Sequence, residues 1–410
     1  MKTIDVKVAT GRVLGKYDLK FQQVLEQFID NFEIRHEIGA SCNLTLEGKT
    51  VVDLWGGSLP RSNKPWEKDT VVTVFSATKG AMALCAHLLR DKGLLDFDQP
   101  VSKYWPEFAK NGKEDAVVRM ALDHSLGLPH YRTPIPEGGF YDYEYMVKRT
   151  EDEHAFWSPG TRIGYHAISM AWTVGELVRR ASGERLGEFF RKHLANQLSI
   201  DFWIGRDSKL ESYKVSPVVQ ATADEHWLNS KFFKKAQAVE VSPTKLFMRD
   251  FGKIDVNSQV CHASEIGSAN GITNARGLAN LYKPFANVTS HACKKLISLE
   301  GATRIGGLFS GCLEDATLVM PTKFSEGFMV SMDNRSRADL INSSVIMGEH
   351  AYGHVGAGGS IGFADPGTTL SFGYAMNKLG SGLLLNERGQ NLIDASYHSL
   401  GFSENHGYYA

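Results

Sequence analysis

The chain has 410 residues, of which 42% are hydrophobic and 22% charged, and its 45 basic and 46 acidic residues leave a net charge of −1. This composition predicts a globular protein of two or three domains, and the balanced charge argues against a nucleic-acid partner. The sequence contains no apolar leader, no membrane-length apolar run and no C-x-x-C pair among its five cysteines, which predicts a soluble cytoplasmic protein without a membrane partner.

The N-terminal part of the chain predicts a helix, a hairpin and a second, buried helix. A first helix is indicated by apolar residues that recur at helical spacing: Phe21, Val24, Leu25, Phe28 and Phe32. Two β-rich runs on either side of Glu47 and Gly48 then predict a hairpin. A β-branched run over residues 70–75 predicts a strand that leads into a buried helix ending at Lys92 and Gly93.

The remaining chain divides into a proline-punctuated middle and a strand-rich end. Short helical segments are predicted for residues 95–265, and a helix for residues 275–285. Strand-like runs follow at 327–334, 360–366 and 369–377, and a last helix is predicted from Glu387 to Leu400. We therefore predict an α/β (α+β) fold. In it, residues 1–94 and 266–410 form a discontinuous domain with an antiparallel sheet, and residues 95–265 form an inserted all-helical domain.

The first motif whose residues could carry out catalysis is Ser76-Ala-Thr-Lys79, which lies where the predicted strand meets the predicted buried helix. One helical turn separates the two polar residues, so the amine can reach the hydroxyl. Burial lowers the pKa of a lysine, which can then act as a base toward serine. A second copy, Ser242-Pro-Thr-Lys245, instead predicts an ordinary helix start with Ser242 as the N-cap and Pro243 as the first helical residue.

Two further motifs contain polar or glycine-rich turns. Tyr165 follows a Pro/Gly-rich loop just ahead of a predicted helix, whose dipole would favour the phenolate form. The alternative for Tyr165 is simple packing at a helix cap. Residues 352–359, Tyr-Gly-His-Val-Gly-Ala-Gly-Gly, precede a strand, and their glycines allow backbone N–H groups to approach a ligand. The alternative here is a tight turn between strands.

Taken in this order, the motifs resemble the serine β-lactamase and penicillin-binding-protein superfamily, most closely class C β-lactamases and family VIII carboxylesterases. Residues 122–129 also resemble its H-x-S-G-L-P loop, and residues 271–279 its segment before the C-terminal sheet. The resemblance implies a β-lactamase-like fold with an antiparallel sheet flanked by helices. It implies Ser76 as the acylated nucleophile, with Lys79 and Tyr165 as its base system.

The resemblance also assigns the glycine-rich segment, with two departures that bear on the substrate. Ala357 N–H would join Ser76 N–H in the oxyanion hole beside Gly356, and His354 stands where the K-T-G motif has lysine. Histidine is mostly neutral at pH 7, so a substrate carboxylate loses its expected cation. The class C triplet Y-x-N is here Tyr165-His-Ala167, which removes an amide partner of the lactam side chain. Both changes favour an uncharged ester over a β-lactam.

Other motifs are weaker. Gly358-Gly-Ser360-Ile-Gly362 matches the G-x-S-x-G elbow of α/β-hydrolases, but too little chain follows it for that fold. His350 and His354 are spaced i, i+4 without an H-E-x-x-H motif, and no dinucleotide fingerprint is present, so we predict neither metal nor cofactor. An aromatic run (Phe140, Tyr141, Tyr143 and Tyr145) could line an apolar pocket or pack a loop.

The sequence thus predicts a serine hydrolase that cleaves small carboxylic esters through a Ser76 acyl-enzyme, as family VIII carboxylesterases do. The alternatives are a β-lactamase, a D-aminopeptidase or an acyltransferase on the same fold, or a non-catalytic binding protein. The predicted partner is a small-molecule ester. The oligomeric state stays open.

Overall fold

The structure is a computed structural model that describes residues 1–410 except 63, 206, 208, 209, 211–213, 222–224, 338, 341 and the side chains of 225 and 226. In the described residues, the strands in chain order are β1 (Lys2–Val8), β2 (Gly11–Tyr17), β3 (Gly39–Leu46), β4 (Lys49–Gly57), β5 (Val72–Thr73), β6 (Phe202–Trp203), β7 (Ile272–Thr273), β8 (Ser310–Cys312), β9 (Thr322–Phe324), β10 (Met329–Val330), β11 (Tyr352–Val355), β12 (Ile361–Asp365), β13 (Leu370–Met376), β14 (Glu404–Asn405) and β15 (Tyr408–Tyr409).

Ten of these strands form one sheet in the order β1-β2-β4-β3-β13-β12-β11-β10-β9-β8, and every neighbouring pair is antiparallel. The predicted hairpin joins β3 to β4, and Glu47 and Gly48 at its turn have φ of 50° and 76°, as a type I′ turn requires. β13 pairs with β3, with Phe372 opposite Leu44, so strands from the two ends of the chain share the centre of the sheet. The predicted antiparallel sheet built from both ends is confirmed.

The α-helices in chain order are α1 (Gln22–Glu33), α2 (Thr78–Asp91), α3 (Val118–Leu122), α4 (Tyr143–Asp152), α5 (Met170–Ser182), α6 (Leu186–Phe190), α7 (Asn196–Leu198), α8 (Glu225–Asn229), α9 (Lys231–Gln237), α10 (Pro243–Phe251), α11 (Gln259–Ala263), α12 (Ala275–Ala286), α13 (His291–Leu296), α14 (Leu299–Arg304) and α15 (Glu387–Leu400). Short 3₁₀ turns cover Leu19–Phe21, Phe75–Ala77, Val101–Lys103, Pro106–Phe108 and Gly139–Tyr141, and a π turn covers Arg191–Ala195. None of the helices in the described residues combines the length and apolar character that crossing a lipid bilayer requires.

Helices cover both faces of the large sheet because successive residues of a strand point to opposite sides. On β12, Phe363 stacks on Tyr397 of α15, whereas Gly362 faces α12. A Cβ at Gly362 would lie 2.8 Å from the Tyr282 ring, so glycine is what lets α12 approach the sheet closely. The resulting core is a continuous apolar cluster that spans both layers.

Most predicted elements are present, with three differences, of which the first is that the strand-like run at 327–334 contains only the two-residue strand β10. The final helix has the predicted bounds, and the first helix and the helix after residue 275 are also confirmed. The strand predicted over residues 70–75 is only β5, which pairs with β7 in a separate three-stranded sheet, because the chain turns helical from Phe75. β1 and β2 were not predicted, although Ile4, Val6 and Val8 alternate with polar residues as a strand should.

The region 95–265 is mainly helical in the described residues, with β6 as an added short strand. The division into domains at residues 94/95 and 265/266 stays a prediction.

Candidate active site

Ser76 lies in a strained turn between β5 and α2. The preceding residue, Phe75, has φ of +47°, a left-handed conformation that costs a residue of this kind about 1–3 kcal/mol. Thr78 holds the turn, because its hydroxyl donates to the Phe75 carbonyl (2.5 Å) and accepts from Gly271 N–H (2.9 Å). The neighbours of Ser76 are buried, while Ser76 itself is partly exposed and lines a cavity. The turn therefore presents the hydroxyl to the cavity.

Lys79 is fully buried one turn later, with its Nζ 3.1 Å from Ser76 Oγ. The same Nζ donates to the carbonyl oxygens of Ala167 (2.6 Å) and Ser268 (2.9 Å). Burial holds the pKa of Lys79 well below its ordinary value of 10.5, which favours the neutral amine. A neutral amine has two N–H groups and one lone pair. Because the two carbonyls can only accept, they use both N–H groups and leave the lone pair for the Ser76 hydroxyl.

Tyr165 completes the group, because its phenol lies beside the Ser76 hydroxyl and both residues line the cavity. Lys79 Nζ lies 4.9 Å from the centroid of the Tyr165 ring. Burial raises the pKa of Tyr165 above its ordinary value of 10, so the expected bias toward phenolate is wrong. The helix dipole has little effect here because α5 begins only at Met170, five residues further on. Tyr165 is therefore a neutral phenol beside a neutral amine.

The backbone of Tyr165 is held by a residue that the sequence analysis did not single out. Asp315 is fully buried, and both its carboxylate oxygens accept from Tyr165 N–H, at 2.9 and 3.0 Å. The same carboxylate also accepts from Thr317 N–H and Leu318 N–H, at 2.8 Å each. It thereby fastens the Tyr165 loop to the segment before β9.

Two buried histidines support the same loop. His166 donates from Nδ1 to the Gly164 carbonyl (2.7 Å) and accepts at Nε2 from Leu128 N–H (2.9 Å), which fixes one neutral tautomer. Its own backbone N–H donates to Nδ1 of His124 (3.1 Å). Burial lowers the pKa of His166 to about 3 and that of His124 well below its ordinary value. Neither histidine is charged at neutral pH.

His354 lies on β11 with its ring centroid 6.0 Å from that of Tyr165. Nδ1 donates to the Val355 carbonyl (2.8 Å), and Nε2 has no hydrogen-bond partner among the described residues. Burial lowers the pKa of His354 to about 3. The side chain is 1% exposed and does not line the cavity. It is therefore a neutral ring that packs near Tyr165 without facing the cavity.

The glycine-rich segment forms a β-turn over residues 356–359, closed by Gly359 N–H donating to the Gly356 carbonyl (3.0 Å). Gly358 has φ of +84° at the third position, as in a type II turn. A Cβ at Gly356 would lie 2.1 Å from the Val74 carbonyl oxygen, so the turn packs directly on the segment that leads to Ser76. Ala357 and Ser76 line the same cavity, and Ala357 N–H has no protein acceptor among the described residues.

The cavity at Ser76 has a volume of about 260 Å³ and a predominantly apolar wall. Part of this wall is built from aromatic and methionine side chains of α8, α9 and α10: Trp227, Phe232, Phe247, Met248 and Phe251. None of the lining residues in the described part of the chain is an Asp, Glu, Lys, Arg or His. The aromatic run at 140–145 does not line the cavity; Phe140 stacks on Trp172 instead, so the packing alternative applies.

The competing serines are both placed away from this chemistry. Ser360 is fully buried, with its Oγ 3.8 Å from Met376 Sδ, and does not line the cavity. Ser242 is the N-cap of α10, as predicted, and accepts from Lys245 N–H (3.3 Å). Within the described residues, no three His, Cys, Asp or Glu side chains cluster so as to hold a metal ion.

Comparisons with known proteins give consistent matches over most of the chain. The family model described as Beta-lactamase matches residues 21–395. The chain is 31% identical over 386 residues to the esterase/beta-lactamase LipL of Mycobacterium tuberculosis, covering 92% of this chain and 86% of that protein. A crystal structure of a family VIII carboxylesterase superposes with a TM-score of 0.79 at 30% identity, covering 94% and 99% of the two chains. A penicillin-binding-protein homologue from Caulobacter crescentus superposes with a TM-score of 0.82, also at 30% identity and the same coverage.

Proposed function

The chain belongs to the Beta-lactamase family and is a serine hydrolase, and from this premise we propose that it hydrolyses small uncharged carboxylic esters through an acyl-enzyme on Ser76. The observation that carries the proposal is the buried amine of Lys79, 3.1 Å from Ser76 Oγ, beside a cavity whose described lining residues carry no charge. Relatives whose names include esterase or carboxylesterase support the same reaction.

In acylation, the Ser76 hydroxyl gives its proton to the Lys79 amine while Oγ bonds to the ester carbonyl carbon. The carbonyl oxygen becomes an oxyanion and accepts from the N–H groups of Ser76 and Ala357. Tyr165 then gives its phenolic proton to the departing alkoxide and takes the proton from Lys79. The ester C–O bond breaks, and an alcohol leaves. A phenol with a raised pKa suits this acid step because it is fully protonated at neutral pH.

Deacylation uses the same groups in reverse. The neutral Lys79 and Tyr165 pair takes a proton from a water molecule, whose oxygen attacks the acyl carbon. The acyl–Oγ bond breaks, Ser76 regains its proton, and the carboxylic acid departs. Because every protein group returns to its starting state, the cycle needs only ester and water.

An uncharged ester fits this site better than a β-lactam because the described wall offers no cation to a lactam carboxylate. His354 is buried and neutral where the resemblance places a lysine. Ala167 supplies its carbonyl to Lys79 and has no side-chain amide for the lactam substituent.

The decisive experiment is intact-protein mass spectrometry after brief incubation with a panel of nitrophenyl esters and β-lactams. We expect the acyl mass of short esters on the wild-type protein, mapped to the peptide containing Ser76, and none on Ser76→Ala. Efficient hydrolysis of a chromogenic cephalosporin, at a kcat/KM equal to that of the esters, would replace the esterase assignment with a β-lactamase one. Acyl capture on Ser360 would contradict the mechanism itself.

A further inference from the structure

One face of α10 forms part of the wall of the cavity that Ser76 lines. Phe247, Met248 and Phe251 line the cavity, at the i, i+1 and i+4 positions that share a helix face. Leu246 and Asp250 are buried, and neither lines the cavity. The helix thus divides its surface between a large apolar face toward the cavity and a face fastened to the protein.

Polar side chains anchor the C-terminal end of α10 to the rest of the protein. The carboxylate of Asp250, whose side chain is fully buried, lies 3.0 Å from His130 Nε2, 2.6 Å from Arg249 Nη2 and 2.8 Å from Lys253 Nζ. Lys253 also donates to the Ile135 carbonyl (2.9 Å). At the other end of the helix, Ser242 caps the first turn. A helix held at both ends keeps its aromatic side chains in place and can distinguish ligands by size.

We infer that α10 is the specificity element of the site and that Phe247, Met248 and Phe251 bind an apolar, aliphatic or aryl, substituent of the ester. This inference rests on the proposed function, because it assumes that the ester carbonyl lies at Ser76. The cavity that contains Ser76 continues without a charged described residue to α10, so a chain attached at the carbonyl has an apolar path to follow. Each methylene buried along it raises kcat/KM about fourfold.

The test measures kcat/KM for two series of esters. One series lengthens the acyl chain of a nitrophenyl ester from acetate to decanoate, and the other lengthens the alcohol of an acetate ester. We expect kcat/KM to rise about fourfold per methylene in one of the two series, to reach an optimum and then to fall. The series that behaves in this way identifies which substituent of the ester binds at α10. Phe251→Ala should move that optimum to longer chains. Phe309→Ala, at a half-exposed phenylalanine outside the cavity, should leave it in place.

Unchanged chain-length profiles in both Phe251→Ala and Phe247→Ala, with melting temperatures near that of the wild type, would overturn the inference. The proposed function is judged separately by acyl capture on Ser76, which the shortest esters report in every variant. A loss of acyl capture therefore contradicts the ester mechanism, whereas retained capture with an unmoved optimum contradicts only the role of α10.

A second inference concerns Asn386, which donates a hydrogen bond to the β-turn over residues 356–359 that carries Ala357. Asn386 is the N-cap of α15, and its Oδ1 accepts from Arg388 N–H (3.1 Å). Its Nδ2 donates to the Gly358 carbonyl (2.8 Å), which also accepts from Gly380 N–H (3.0 Å). A Cβ at Gly359 would lie 2.6 Å from that Nδ2, so the amide is packed tightly against the turn. Asn386 does not line the cavity.

We propose that Asn386 is a positioning residue for the oxyanion hole. Asn386 and Gly380 hold the carbonyl of the Gly358–Gly359 peptide, and the N–H of this same peptide donates to the Gly356 carbonyl. The Gly356 carbonyl belongs to the peptide group that carries Ala357 N–H, so these bonds fix how the turn presents that N–H. Asn386→Asp keeps the capping oxygen but turns the donor into an acceptor that faces the Gly358 carbonyl. We expect kcat to fall about 10–100-fold with KM within about twofold, since the turn acts mainly on the oxyanion.

The matched control is Asn274→Asp on α12. Asn274 is also a buried asparagine N-cap, but its Nδ2 has no partner among the described residues, so kcat should stay within about threefold of the wild-type value. Affinity for an aryl boronic acid, whose adduct carries a tetrahedral oxyanion, separates positioning from general damage. Asn386→Asp should weaken this affinity in parallel with kcat. Equal boronate affinity, or equal losses in both variants, would refute the positioning role.

Discussion

Two segments of this chain carry the pattern Ser-x-Thr-Lys at the start of a helix, and their side chains do different things. In residues 76–79, the serine lies inside a 3₁₀ turn and Lys79 points its amine at the hydroxyl from a fully buried position. In residues 242–245, the serine side chain accepts from Lys245 N–H as a cap. The amine of Lys245 donates to the Ala238 carbonyl, at 2.6 Å.

The two segments have the same residue spacing. They differ in where the serine lies relative to the helix start and in how deeply the lysine is buried, and these two features distinguish the proposed nucleophile from the helix cap. As an N-cap, Ser242 accepts a hydrogen bond at its side-chain oxygen from a backbone N–H of its own helix. Ser76 makes no such cap, because the helical chain begins before it at the strained Phe75. Burial holds the pKa of Lys79 well below its ordinary value, whereas the Lys245 side chain is only partly buried.

The largest expected difference between the two segments is in their serines. Ser76→Ala should lower kcat/KM for a nitrophenyl ester by about 10⁴-fold, with little change in thermal stability. Ser242→Ala should leave kcat within about threefold and lower the free energy of unfolding by about 1 kcal/mol, the usual value of an N-cap. Ester kinetics and denaturant unfolding of both variants check this. Similar kinetic losses in the two would remove the distinction.

The lysines should differ next. Lys79→Met should lower kcat by about 10³-fold, because the variant has no base for Ser76 and leaves two carbonyls without their donor. Lys245→Met should retain nearly full kcat. Steady-state kinetics measure both effects, with circular dichroism as the control for folding. A Lys79→Met enzyme with half the wild-type kcat would assign the base role to another group.

Tyr165 tests whether the first segment works alone. Tyr165→Phe keeps the ring that packs against His124 and Phe324 and removes only the phenolic oxygen beside Ser76. We expect kcat to fall about 10²–10³-fold with KM nearly unchanged. The loss should be smaller for nitrophenyl esters than for ethyl esters, because nitrophenolate needs less help to leave. Equal losses with both leaving groups would contradict the acid role of the phenol.

The smallest predicted effect is a dependence of stability on pH. The pKa of Lys79 is lowered in the folded protein, so below pH 10.5 the unfolded chain binds more protons than the folded one. The contribution of Lys79 to stability therefore rises with pH up to about 10.5, by at most about 1.4 kcal/mol per pH unit. Lys79→Met removes that contribution, whereas Lys245→Met keeps it. Urea unfolding at several pH values measures the slopes, and identical slopes in all three proteins would mean that Lys79 is charged when folded.

Local signals explain what could be predicted from the sequence. The hairpin at Glu47 and Gly48 depends on neighbouring residues alone, and so does the final helix, which ends before Gly401 with φ of +91°. The resemblance of the motifs to a known superfamily predicts that Ser76 and Tyr165 share one site, and both line the same cavity although they lie far apart in sequence.

What could not be predicted depends on distant contacts. Asp315 reaches Tyr165 across 150 positions of sequence, and no pattern near either residue signals that bond. Phe247 and Phe251 show ordinary helical spacing, which a core helix would share, so their role in the cavity is visible only in three dimensions. The expectation that Tyr165 tends toward phenolate is wrong for the same reason. Its pKa is raised by burial, which is a property of the whole fold and not of the nearby helix end.

The pairing of β13 with β3 at the centre of the sheet also sets the order in which the protein can mature. While the chain is being synthesised from its N-terminus, β3 and Ser76 emerge long before β13 and the turn at Ala357. Contacts between such distant segments form late and slowly. Until then Ser76 lacks the second amide of its proposed oxyanion hole, that of Ala357. We therefore expect a nascent chain to remain inert toward esters until nearly all of it has been made.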